Sequence, residues 1–203
     1  MEFDLKRTSQ ITGLLLLVAA ITQAIYTALY ISEAEVPRQL LWGIESFLFL
    51  LMAAFAGSAL AQSRGQHLAW SAILTASVLN VVQVGIGLTQ FGPFFEVAGT
   101  IDGFAPAAGG VLALSFMVYN AAKVLLALAL IMFGLARRLD GSALLGWLIV
   151  LVGIVAFVSN TASMAAGRDV FGELPLAGGS GVAATVLLAL CLLTLPESSR
   201  EAK

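Results

Sequence analysis

The chain alternates between long apolar stretches and short polar connections. Six stretches stand out, at 10–31, 39–61, 68–91, 111–136, 142–166 and 178–195. At ~1.5 Å of rise per helical residue, each comes close to the ~30 Å hydrocarbon thickness of a bilayer, the last being the shortest. Runs such as LLLLVAA, FLFLLMAAF and VLLALALIMF do not alternate apolar with polar, which argues for helices and against barrel strands. The expected fold is therefore all-α, an integral membrane bundle of six transmembrane helices. The connections QSRGQ and RRLDG are too short to hold a soluble domain, so one domain over 1–203 is predicted.

Two other connections are longer, FGPFFEVAGTIDGFAPAAGG and GRDVFGELPLAGGS. Their glycines and prolines predict breaks in the helices, while Phe94, Phe95, Phe104 and Phe171 are too apolar for a freely solvated linker. Both loops are expected to lie back on the bundle or dip into the membrane interface, as a lid or as plain anchors. GGSG at 178–181 reads as a flexible lead-in to the last helix. Close helix packing has a visible source in the small-x-x-x-small series Ala53, Gly57, Ala61 and the pair Ala162, Ala166.

Composition strengthens the membrane reading, with 60% hydrophobic and 11% charged residues and a mean hydropathy of +0.98. Soluble domains run nearer ~25% charged. The net charge of −2 hides an asymmetry. Lys6, Arg7, Arg64, Arg137, Arg138, Arg200 and Lys203 fall on one side, and only Arg38 and Arg168 on the other. Basic residues stay cytoplasmic, so both N- and C-termini are expected in the cytoplasm. The outer loops are acidic, with Glu33, Glu35, Glu96, Asp102, Asp169 and Glu173. Glu2 and Asp4 mix with Lys6 and Arg7 ahead of a span-length apolar stretch, so the first helix is expected to be retained and not cleaved as an export signal.

Against this background the polar side chains within the spans are conspicuous: Gln23, Glu45, Asn80, Gln83, Asn120, Lys123 and Asn160. Counted from the outer helix ends at ~1.5 Å per residue, they lie ~9 to 20 Å deep, whereas 124–136 and 143–158 hold no strongly polar side chain. An outward-facing polar cavity with an apolar floor is expected. A lysine at mid-membrane costs about 2.5 to 3.5 kcal/mol on insertion scales, so Lys123 should face the bundle interior or water and have a partner. Glu45, the one carboxylate within a span, is its natural counter-charge, directly or through water, Tyr119, Asn80 or Asn120. Trp42 and Tyr30 read as interfacial anchors, and Tyr119 sits one turn from Lys123.

Two uses of this layer follow. It can be a polar network fixing helix register, or a site for a polar or anionic headgroup built from Lys123, Glu45, Asn120, Asn80, Gln83, Tyr119, Gln23 and Asn160. Much chemistry is excluded by residue count. The single histidine, His67, cannot supply bis-histidine haem ligation or a histidine metal cluster, and Cys191 alone cannot form an internal disulfide or an iron–sulfur site. No cofactor is expected, and no phosphate loop, serine elbow or nucleic-acid-binding basic patch is present.

The chain resembles, in composition, the small multi-pass membrane proteins of bacteria, which implies the cytoplasmic (inner) membrane. The function expected is non-enzymatic binding or transport of a small amphiphilic or lipid-like ligand. The alternative is a structural or accessory subunit of a larger membrane complex, with the bilayer, a membrane-protein partner or a second copy of the chain around it.

Overall fold

The computed structural model describes residues 3–32, 38–139, 141–172 and 174–195. Of the residues discussed above, Glu2, Glu33, Glu35, Glu173, Arg200 and Lys203, and the side chains of Tyr30 and Arg168, lie outside the described part.

The chain forms α1 (Leu5–Ile31), α2 (Gln39–Gln62), α3 (His67–Ile86), α4 (Gly92–Thr100), α5 (Ala105–Leu139), α6 (Ala143–Ala166) and α7 (Leu176–Leu193). A π-turn, Gly87–Phe91, joins α3 to α4 without interrupting the rod, and a 3-10 turn, Arg168–Phe171, precedes α7. Among the described residues, six helical rods are long and apolar enough to cross a bilayer, His67–Thr100 counting as one. This is a multi-pass, all-helical membrane architecture, as the apolar runs predict. Helices suit this solvent because each closes its own backbone hydrogen bonds where no water is available.

The helix ends have local causes. Asp4 accepts the Arg7 N–H at 2.7 Å, capping α1 and starting it well before the first uninterrupted apolar run. Gly141 (φ 96°) and Gly167 (φ 93°) take left-handed backbone at the turns around α6, which side chains with a Cβ resist.

One expectation is corrected here. The first long connection is almost entirely helical, and only 101–104 separates α4 from α5. A break does fall at 101–104, where Gly103 takes left-handed backbone (φ 84°), but Gly92, Pro93, Gly99, Pro106, Gly109 and Gly110 are accommodated within helix. Pro106 lies in the first turn of α5, where a missing N–H costs nothing. Pro93 lies two residues past the π-turn, whose extra residue relieves the clash a proline ring makes with the preceding turn. The rods His67–Thr100 (34 residues) and α5 (35 residues) are thus each ~50 Å long, well beyond the ~30 Å hydrocarbon core. They form a hairpin that projects past the other helices, with Phe94 stacked on Phe104 at 5.7 Å. This end is termed the hairpin end, and the opposite one, bearing Arg64, Arg137 and Arg138, the arginine end.

Packing closes a ring. α1 lies against α2, α2 against α3, α3 against α5, α5 against α7, and α7 back against α1; α6 packs outside, on α5 and α7. Toward the arginine end the interior is apolar, with Leu16, Met52, Trp70, Ile73, Leu126, Leu130 and Leu188 buried and Trp70 edge-on to Phe133 at 5.8 Å. Arg137 ties α5 to the end of α7 by donating to the Thr194 carbonyl at 2.9 Å.

The small-residue series on α2 is not where the helices approach most closely. A Cβ at Gly57 would meet nothing nearer than Leu74 Cδ1 at 4.0 Å. At Gly146 of α6 it would stand 2.7 Å from Arg138 N and 2.8 Å from the Gly134 carbonyl, and at Gly153 2.7 Å from Ile131. The intimate seam is therefore α5 against α6, where seven-residue spacing replaces the four-residue spacing that the sequence advertises.

Candidate functional site

Lys123 of α5 is 1% exposed and points into the ring. Its Nζ donates to Gln23 Oε1 of α1 at 2.6 Å and to Thr185 Oγ1 of α7 at 3.1 Å, and lies 5.2 Å from the centre of the Tyr119 ring. The Thr185 hydroxyl gives its own proton to the Gly181 carbonyl at 2.7 Å, which leaves a lone pair for the ammonium. Gly181 makes room for the lysine stem, since a Cβ there would stand 3.2 Å from Lys123 Cγ and Cδ. GGSG is thus no loose lead-in: it lies within α7, and its last glycine seats the buried cation.

Glu45 of α2 is also buried, and its Oε1 accepts the Thr22 hydroxyl at 2.7 Å. Of the direct and mediated pairings with Lys123 that the sequence left open, the direct one does not form: the two groups have different hydrogen-bond partners. In the ring α3 separates α2 from α5, so Glu45 reaches α1 instead. Consecutive residues of α1 hold one group each, Thr22 the carboxylate and Gln23 the ammonium.

The remaining residues of the sequence-defined layer disperse. Asn80 turns its amide to its own helix, at Ala76 O (2.8 Å), and Asn120 does the same at Phe116 O (2.8 Å). Asn160 bridges helices, donating to Ala156 O of α6 at 2.8 Å and Ala177 O of α7 at 3.1 Å. It also borders the lysine, its Nδ2 being 3.5 Å from the position of a Gly181 Cβ. Gln83 reaches Ser115 of α5 at 3.3 Å. The buried Oδ1 atoms of Asn80 and Asn160 have no protein hydrogen bond. Lys123, Gln23, Tyr119 and Asn160 therefore gather around one node, Glu45 stands beside it, and Asn80, Asn120 and Gln83 serve local contacts.

Sequence reasoning missed Thr22, Thr185, Ser115 and Gly181. Hydroxyl residues in a membrane helix usually bond the carbonyl one turn back, as Thr12 does to Thr8, so their type carries no signal of a longer reach.

A separate feature lies at the hairpin end. Arg38, Gln39 and Trp42 at the start of α2 face Gly87, Leu88, Phe91 and Gly92 across a partly open cavity of about 310 Å³. None of the eight residues singled out above lines it. Trp42 is set between Tyr26 (6.0 Å) and Phe91 (5.7 Å), while Gly87 lets the indole lie flush, a Cβ there standing 3.4 Å from the ring. Trp42 is thus part of a built aromatic wall. The Arg38 guanidinium lies over Tyr26 at 5.4 Å. At ~1.5 Å per residue, the 24 residues of α2 and the 20 of α3 put this cavity ~30 to 36 Å from the arginine end.

Among the described residues no three His, Cys, Asp or Glu side chains converge as metal ligands would. The lysine node supplies its ammonium with two acceptors, Gln23 Oε1 and Thr185 Oγ1. No protein-family model, curated protein or solved structure matches this chain.

Proposed function

We propose that this multi-pass membrane protein binds or transports a small amphiphilic or lipid-like ligand without chemistry, and that the ligand enters at the cavity beside the π-turn. The observation that carries the reading is the cavity itself. Its size falls within the ~300–1,000 Å³ of small-molecule sites, and its lining combines Trp42, Phe91 and Leu88 with the polar Arg38 and Gln39. π-turns concentrate at functional sites, and this one supplies four of the seven lining residues if Gly92, which directly follows it, is included. In this reading the lysine node holds α1, α5 and α7 in register and the ligand does not touch it. The preferred setting is a bacterial-type cytoplasmic membrane with the arginine end inside, which turns the cavity to the outer leaflet.

A second reading is an accessory subunit of a larger complex, with which a lysine node held by Gln23 and Thr185 and free of ligand is equally compatible. Native mass spectrometry of protein gently extracted from its source membrane separates the two. A stoichiometric small amphiphile that is lost when Gly87→Leu fills the cavity supports binding. A retained partner chain with no amphiphile sinks it in favour of the accessory role.

A further inference from the structure

We infer that the arginine end carries a binding site for an anionic phospholipid of the adjoining leaflet, its headgroup held by Arg138 stacked on Trp147 and one acyl chain lying along α6. The α5–α6 seam builds the pair. Gly146 has no side chain, so α6 meets α5 backbone to backbone, and a Cβ there would stand 2.7 Å from Arg138 N and 2.8 Å from Arg138 Cβ. The next residue, Trp147, is thereby set beside the arginine, whose Cζ lies 4.8 Å from the centre of the indole ring. Stacking holds the guanidinium by its face and leaves the fork of N–H donors at its edge, the geometry that meets phosphate oxygens two at a time. Among the described residues, that edge has no hydrogen bond or ion pair. Its neighbour Arg137 is engaged, donating to Thr194 of α7. Asp4, the acidic side chain described at this end, belongs to α1 and caps it, whereas α6 packs on α5 and α7.

The surface around the pair suits the rest of a lipid. With 24 residues α6 is ~36 Å long, slightly more than the ~30 Å hydrocarbon core, so its first turns fall near the level of the phosphates. Arginine and tryptophan both favour that boundary, where an apolar body and a polar edge are each solvated. From Leu144, the exposed residues Leu148, Leu151, Val155 and Val158 follow at three- and four-residue spacing and form one strip ~21 Å long beside Trp147. The strip exceeds the ~15 Å depth of one leaflet, so an acyl chain can lie along it. The occupant is a bilayer lipid and not a free phosphate ion, because the strip gains only from hydrocarbon and one partly exposed cation holds a small anion weakly. Plain interfacial anchoring needs an arginine and a tryptophan near the boundary, but it does not need them locked face to face by a side-chain-free helix contact.

The test reads quenching of Trp147, 52% exposed, by brominated acyl chains. Trp70 is 1% exposed and beyond their reach, and Trp42 is replaced by Phe so that Trp147 is the one indole open to lipid. The full-length Trp42→Phe protein is placed in phosphatidylcholine bilayers with increasing fractions of brominated phosphatidylglycerol or, in parallel, brominated phosphatidylcholine. Phosphatidylglycerol should reach half-maximal quenching at a mole fraction roughly fivefold lower, the preference of a charge-assisted contact discounted for partial exposure. Arg138→Gln should bring the two lipids level, with unchanged Trp70 emission reporting an intact fold. Arg138→Lys keeps the charge but not the stacked fork and should reduce the preference to about twofold, a readout that does not depend on the bundle tolerating a neutral residue. Arg64→Gln removes an equal charge from the same end, on the turn between α2 and α3 and away from α6, and should leave the preference intact. Equal quenching by the two lipids in the parent overturns the site, as does a full preference that survives Arg138→Gln or Arg138→Lys. Loss in Arg64→Gln as large as in Arg138→Gln also overturns it, because the preference then belongs to the diffuse field of the basic end.

Discussion

Gln23→Leu is the most direct probe of what holds the bundle's centre. Gln23 Oε1 is 2.6 Å from the Lys123 ammonium, and Thr185 at 3.1 Å is the other hydrogen-bond acceptor. Leucine has nearly the same volume, so little cavity forms, and the loss is that of a hydrogen bond to a charged group, about 1.5–3 kcal/mol. Lys123→Met behaves differently. It abandons the Gln23 carbonyl, at about 1–3 kcal/mol, yet also removes a cation whose placement in a span costs about 2.5–3.5 kcal/mol, so its net effect should be near zero. The double variant has neither orphan nor buried charge and should be at least as stable as the parent. The two changes should therefore couple by about 1.5–3 kcal/mol, the upper part of the range for residues in contact. Reversible unfolding in mixed micelles gives the four free energies, and thermal midpoints provide a second readout. A coupling below about 0.5 kcal/mol, or a Gln23→Leu protein more stable than the parent, would show that the lysine is not held by α1.

The glycine seam gives a paired prediction. Gly146→Ala should destabilise by roughly 1–3 kcal/mol because the methyl meets backbone atoms at 2.7 and 2.8 Å, whereas Gly57→Ala should be neutral or stabilise by up to about 1 kcal/mol through helix propensity; the same unfolding assay ranks them, and the reverse order refutes the packing. Gly181→Ala should cost less than about 1 kcal/mol, since the flexible lysine stem at 3.2 Å can yield, while Gly181→Leu should cost at least that of Gly146→Ala; equal tolerance of both would remove Gly181 from the lysine's seat. For orientation, a cysteine at Glu96, in a Cys191→Ala background, should react with an impermeant maleimide on intact cells while one at Arg64 should not, and labelling of the latter would invert the topology.

How much of this was legible beforehand differs by feature. The sequence by itself determined the class. Apolar runs of span length admit helices and little else, because in hydrocarbon each backbone N–H and C=O must be satisfied within its own segment. It also flagged Lys123 as a residue that must face inward, because that cost depends on residue type and depth alone. Partner identity was another matter. Glu45 was the obvious counter-charge by composition, but α2 and α5 are kept apart by α3, so the contact fell to Gln23 and to Thr185, a hydroxyl that looks like any other in a helix. The 92–110 segment misled for a related reason. Glycine and proline break a helix only when nothing relieves them, and whether Pro93 follows a π-turn or Pro106 falls in a first turn is a matter of register that residue type does not encode. The cavity was invisible for the same cause. It exists because helix α2 begins beside a turn 49 residues further along the chain, counting from Arg38 to Gly87, and only the tertiary fold brings a cation, an indole and a widened helix to one place.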